Sequence, residues 1–128
     1  MNNSDLKNKI KLVGKDIIEE KGYLSSIEVL LKLEYLSQKD YENWRFGKVE
    51  YLEKVCSVNL KKLSTINKTI KDISAQWNFK KSWTAYNKYE KGKKLRLRFS
   101  KSGNEKIEEA YATHYLNIEK IKNKSTKA

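Results

Sequence analysis

The chain has 128 residues, of which 28 are Lys or Arg and 16 are Asp or Glu, a formal net charge of +12. That length suits one domain able to hold its own core. The single Cys56 excludes an internal disulfide and a Cys-based metal cage, and the absence of long apolar runs leads us to expect no signal peptide, no membrane span and a cytoplasmic protein.

Ser4 caps the first predicted helix, through about Lys21. Leu6, Ile10, Val13 and Ile17 recur at helical spacing on one face, and Gly22 is the expected left-handed stop. Ser25 and Glu28 fit a capping box and Leu24 with Val29 a hydrophobic staple, which starts a short second helix ending near Leu33 to Tyr35. The same signal recurs at Ser37, with Asp40 three residues on and Leu36 facing Tyr41. That third helix is expected to run to about Phe46, with Gly47 as its stop.

From about Glu50, Leu52, Cys56, Leu60, Leu63, Ile66, Ile70, Ile73 and Trp77 step by threes and fours without a Gly or Pro. This pattern predicts one central helix of about 26 residues, roughly 40 Å long. Two helices broken near Ser57 to Asn59 are the alternative. Leu95, Leu97 and Phe99 then alternate with Lys94, Arg96 and Arg98, the period of a strand. Trp83 to Tyr89 suits its hairpin partner, turning through Glu90-Lys91-Gly92. The apolar match pairs Trp83 with Phe99 and Ala85 with Leu97 inside, and Tyr86 with Arg96 and Thr84 with Arg98 outside. A short helix capped by Ser82 is the alternative. Ser102 or Asn104 caps a last helix whose face runs through Ile107, Tyr111, His114 or Tyr115, Ile118 and Ile121. The expected fold is mainly α: a single domain over residues 1–122, with four to five helices, one of them long and central, and a late two-stranded β-hairpin at about 83–99. Residues 123–128 read as a disordered tail.

The charge is uneven. Residues 1–64 carry 12 Lys and Arg against 10 Asp and Glu, whereas residues 65–128 carry 16 against 6. Phe79 to Lys101 holds nine basic residues, one acid and five aromatics. Cations interleaved with aromatics suit a polyanion, because Lys and Arg hold phosphates and aromatic rings stack on unpaired bases. The candidate nucleic-acid-binding residues are Lys80, Lys81, Tyr86, Lys88, Lys94, Arg96, Arg98 and Lys101. Two readings compete. Lys and Arg on an edge strand also block sheet-to-sheet association, and 25 Lys against 3 Arg matches what an AT-rich coding sequence supplies without selection. The rare Arg45, Arg96 and Arg98 then mark places where a planar, stacking cation is needed.

Trp44, Arg45 and Phe46 form a second candidate, an aromatic anchor for a protein partner; the competing reading packs both rings at the end of the third helix. A helix-turn-helix in the second and third helices is disfavoured by the acids Asp40 and Glu42 on the recognition face. His114 is the one His, and without companion ligands it suggests no metal; its expected role is packing or hydrogen bonding, with general-base duty in a metal-free nuclease as the alternative. Glu108 and Glu109 are adjacent and point about 100° apart on a helix, so they form no converging acid pair. Cys56 reads as an inert buried thiol.

The segments Asn43-Trp44-Arg45-Phe46-Gly47, Leu97-Arg98-Phe99-Ser100-Lys101-Ser102-Gly103 and Tyr111-Ala112-Thr113-His114-Tyr115 resemble stretches of a group of small uncharacterised bacterial proteins. The resemblance implies a bacterial cytosolic origin and transfers no activity or site residue. The expected function is a non-enzymatic, cofactor-free nucleic-acid-binding protein. An adaptor or regulatory protein contacting a protein partner, including an acidic one, is the alternative.

Overall fold

Elements form where the local chemistry dictates. The structure, a computed structural model, describes residues 3–90, 92 and 94–118. Helix α1 spans Asn3–Lys21, strand β1 Tyr23–Leu24, α2 Ser26–Lys32 and α3 Gln38–Arg45. A 3₁₀ turn at Leu52–Val55 leads to α4 (Leu60–Gln76), β2 (Lys80–Trp83), α5 (Glu105–Ala112) and β3 (Thr113–Leu116). The protein is a mainly helical single domain with a small antiparallel sheet in the order β1-β3-β2. Lys91 in the expected turn, Ile121 and the 123–128 tail lie outside the described residues.

The capping signals at Ser25 and Ser37 act as read. Ser25 accepts a hydrogen bond from the Glu28 amide and Ser37 from the Asp40 amide, satisfying amides that lack a helical partner. Gly22 and Gly47 take φ of 80° and 76° at the two helix ends, where a side chain would be strained. Helix α1 begins at Asn3, so Ser4, expected to cap it, lies inside its first turn. Its stripe of Leu6, Ile10 and Ile17 packs with Leu24, Ile27 and Leu30 against Ile66, Ile70 and Ile73 of α4.

The long central helix is divided. The Asn59 side chain caps α4 by accepting from the Lys62 amide, and the Ser57 amide donates to the Tyr35 carbonyl, which holds the chain extended between the 3₁₀ turn and α4. The broken alternative is therefore the observed one, with α4 at 17 residues. The apolar period continues across the break because the turn and α4 face the same core.

The expected last helix stops at Ala112. Thr113 to Leu116 is instead β3, the central strand, and His114 and Tyr115 lie on it. Its burial alternates along the strand, as period two requires. β3 takes Lys80–Trp83 as one partner, with Trp83 opposite Thr113 and Lys81 opposite Tyr115. Trp83 thus pairs with β3 rather than with Phe99.

The chain does turn back between Trp83 and Phe99, and Asn87 bridges Arg96 in antiparallel fashion. That pairing is one residue removed from Tyr86 opposite Arg96, and it turns over the 83–89 side, while Phe99 stays inward and Arg96 and Arg98 outward as expected. Tyr86 is buried rather than outward, and Leu95 is exposed rather than inward. The cause is a better aromatic fit: the Tyr86 ring lies 5.8 Å from Trp44 and 5.4 Å from Phe99. Trp83, expected in the core, is exposed.

Phe99 and Ser100 are buried without a strand partner. The buried Glu108 carboxylate supplies one: it accepts from the Phe99 amide at 3.0 Å, the Ser100 amide at 2.7 Å and the Ser100 hydroxyl at 2.6 Å. Removing it would leave three buried donors unsatisfied. Glu108→Ala should therefore lower unfolding stability by about 3 kcal/mol or more, while Glu109→Ala next to it should change stability by no more than about 0.5 kcal/mol. Urea denaturation of the two variants checks this.

Candidate functional site: a lysine-rimmed groove

Two helices and one sheet face make a groove of about 1080 Å³. From α4 come Leu60, Ser64, Asn67, Lys68 and Lys71, a stripe at helical spacing turned away from the buried Leu63, Ile66 and Ile70. Helix α5 adds Lys106, Ile107 and Ala110, and the turn before it adds Lys101 and Ser102. The sheet contributes Lys81, Thr113 and Tyr115 from one face, because Lys81 stands directly opposite Tyr115. The Ser26 hydroxyl donates to Asn67 Oδ1 at 2.6 Å and fixes that amide in the groove wall.

Five Lys side chains (68, 71, 81, 101 and 106) meet two carboxylates here, Glu53 and Glu109. Glu53 is engaged, accepting from the Tyr111 hydroxyl at 2.8 Å and the Lys101 amide at 2.9 Å. Among the described residues the ion pairs are Lys21–Glu28, Lys32–Glu20 and Lys88–Glu90, and none involves a groove lysine. Unpaired cations converging on a concave surface concentrate positive potential there.

The sequence candidates scatter. Lys81 and Lys101 reach the groove. Lys80 is exposed one residue along β2 from Lys81, and so on the opposite face of the strand. Lys94, Arg96 and Arg98 are exposed, whereas Tyr86 is buried and Lys88 is half-buried and paired with Glu90. Trp44 is wholly buried, donating its indole N–H to the Arg98 carbonyl at 2.9 Å. Phe46 is exposed and meets the Tyr89 ring edge-on at 5.3 Å. Lys68, Lys71 and Lys106 were not among the candidates. Each sits on the polar face of an amphipathic helix, where lysine is ordinary, and only the packing of α4 beside α5 brings them together.

All three arginines lie over aromatic rings. Arg45 lies 4.1 Å from the Tyr89 centroid and donates to the Asn87 carbonyl and Tyr41 hydroxyl. Arg96 lies 4.9 Å from Trp83 and Arg98 5.4 Å from Tyr51. A guanidinium suits such contacts, and Lys62 makes a similar one over Tyr35 at 5.1 Å.

His114 stacks on Tyr23 at 4.7 Å with its plane tilted by 2°, and its Nε2 lies 2.7 Å from the Tyr86 hydroxyl. Burial lowers the His114 pKa below its ordinary 6.5 and raises that of Tyr86, so the pair is held neutral with one hydrogen between them. Burial, with Glu53 and Asp40 nearby, pushes the Cys56 thiol up to about 12 and keeps it protonated. Among the described residues no three of His, Cys, Asp and Glu gather closely enough to hold a metal ion. No described helix is long and apolar enough to cross a membrane. Comparison with protein-family models, curated proteins and solved structures finds no match for the chain.

The depressed His114 pKa has a stability consequence with a definite sign. Below pH 6.5 the unfolded chain binds a proton at His114 that the folded chain resists, so stability falls as pH drops from 6.5 through the lower folded pKa. The urea midpoint of the native protein should decline more steeply between pH 7 and 5 than that of His114→Gln. Parallel declines would show that His114 is not responsible.

Proposed function

We propose that the protein binds nucleic acid and performs no chemistry on it, with the lysine-rimmed groove as the phosphate-contacting surface. The observation that carries this reading is the convergence of Lys68, Lys71, Lys81, Lys101 and Lys106 on one groove without ion-pair partners among the described residues. Lysine is a flexible point charge that follows a phosphate backbone without demanding one geometry. Ser64, Asn67, Ser102 and Thr113 add hydrogen-bonding groups between the cations for phosphate and sugar oxygens. Relative to the sequence reading, the contact surface moves from the hairpin to the groove and retains Lys81 and Lys101.

The adaptor alternative drew on Trp44 as an anchor. Trp44 is buried beneath Tyr86 and Phe99, which leaves Phe46 and Tyr89 as the exposed rings on that side. Nucleic acid is therefore the better-supported partner.

Binding through phosphates is salt-dependent. With about six contacts, affinity for mixed-sequence duplex DNA should fall roughly a thousandfold between 50 and 200 mM salt. Fluorescence anisotropy with DNA and RNA at both salts measures it, and no binding at 50 mM would reject the proposal. Lys81→Glu combined with Lys101→Glu should lower the slope of log K against log salt by roughly two. Lys11→Glu with Lys15→Glu, the same charge change on the exposed face of α1, should leave affinity much closer to native. Equal losses in both pairs would mean that net charge, not the groove, governs binding.

A further inference from the structure

Beside the lysine groove, on the other flank of α5, lies a smaller hollow of about 350 Å³ lined by Trp83, Arg96, Gly103, Glu105, Glu108 and Glu109. Its chemistry differs from that of the groove. Trp83 is 54% exposed, whereas Trp44 is wholly buried and Trp77 half-buried. A large ring left this open at the end of an edge strand makes little contribution to the core. Arg96 lies over one face of it at 4.9 Å, which steadies the ring and leaves the opposite face for a ligand. Glu108 is occupied by Phe99 and Ser100, so Glu105 and Glu109 are the carboxylates that face a visitor. With one cation, Arg96, against them, these acids disfavour a phosphate here, whereas five lysines outnumber the two carboxylates of the groove. The acids of the hollow accept hydrogen bonds from an exocyclic amine, and an indole face stacks on a flat heterocycle.

The two hollows are neighbours across α5. Glu109 borders both. Lys81 and Trp83 are two residues apart on β2 and project from the same face, roughly 7 Å apart along the strand. A phosphate held by Lys81 and a neighbouring base on Trp83 fall within that reach.

We propose that Trp83, steadied by Arg96, is a base-stacking site, and that the ligand is single-stranded nucleic acid whose backbone runs along the lysine groove. This rests on the groove being the phosphate-binding surface. Paired bases in a duplex have no free face to offer, so the hollow selects for unpaired ones. The groove alone discriminates poorly, because lysines read charge rather than base pairing.

The test compares three fluorescently labelled probes of one length at 50 mM salt: a mixed-sequence single strand, the corresponding duplex, and an abasic single strand. The native protein should bind the base-containing strand roughly tenfold or more tighter than the abasic one. Unlabelled strand should also quench its tryptophan fluorescence. Trp83→Ala should remove that tenfold advantage and the quenching while leaving affinity for the abasic strand unchanged. Trp83→Tyr, which retains an aromatic face, should keep most of the advantage. Equal affinity for base-containing and abasic strands in the native protein would overturn stacking and leave phosphate binding standing. So would a Trp83→Ala variant that loses affinity equally for both. Failure to bind any of the three probes would overturn both proposals.

Discussion

A buried carboxylate replaces a missing strand. Arg98 to Lys101 crosses the interior edge of the molecule outside any described strand, and its backbone polar groups need partners other than a ladder. Glu108 takes the amides of Phe99 and Ser100, and Glu53 takes that of Lys101. The carbonyls are met in turn: Trp44 and Leu52 donate to Arg98, and the Glu53 amide donates to Phe99. Phe99 can then sit fully buried between Trp44 and Tyr111, stacked on Tyr111 at 5.4 Å. A charge this deep is tolerable only because three donors surround it.

That arrangement also places the candidate site. The segment tied down by Glu53 and Glu108 ends at Lys101, on the rim of the groove, and passes directly into the Asn104 cap of α5. Helix α5 then separates the lysine groove from the Trp83 hollow. Arg45 does the matching work on the far side. It binds the Asn87 carbonyl while its own carbonyl accepts from the Tyr89 amide, stapling the returning chain to the end of α3. Two short segments with little regular structure are thereby held by side chains.

What the sequence made legible follows from range. The caps at Ser25 and Ser37 and the stops at Gly22 and Gly47 act over a few residues, and the structure has all four. The boundary at Ala112 is not of that kind. Tyr111, His114 and Tyr115 fit a helical face as well as a strand, and the choice was made by β1 and β2, which are distant in sequence. The hairpin register failed by one residue for a similar reason. The apolar match between its two sides does not contain Trp44, which is distant in sequence and packs against the inward Tyr86.

The charge divides along the same line. Arginine among so many lysines proved informative, since each of the three caps an aromatic ring. Its meaning was local: a guanidinium beside an aromatic in the folded chain, whatever the function. Lysine carried the opposite kind of information. No single lysine on α4 or α5 differs from an ordinary solvated residue, and the dense run from Phe79 to Lys101 supplies only Lys81 and Lys101 to the groove. The remaining three come from helices that pack together only in the fold. A run of charge in sequence measures how many cations are available, whereas binding depends on how many face one surface. Here Glu108 and Glu53 fix only the Lys101 end of that surface to α5, and the packing of α4 beside α5 and of β2 beside β3 brings in the rest.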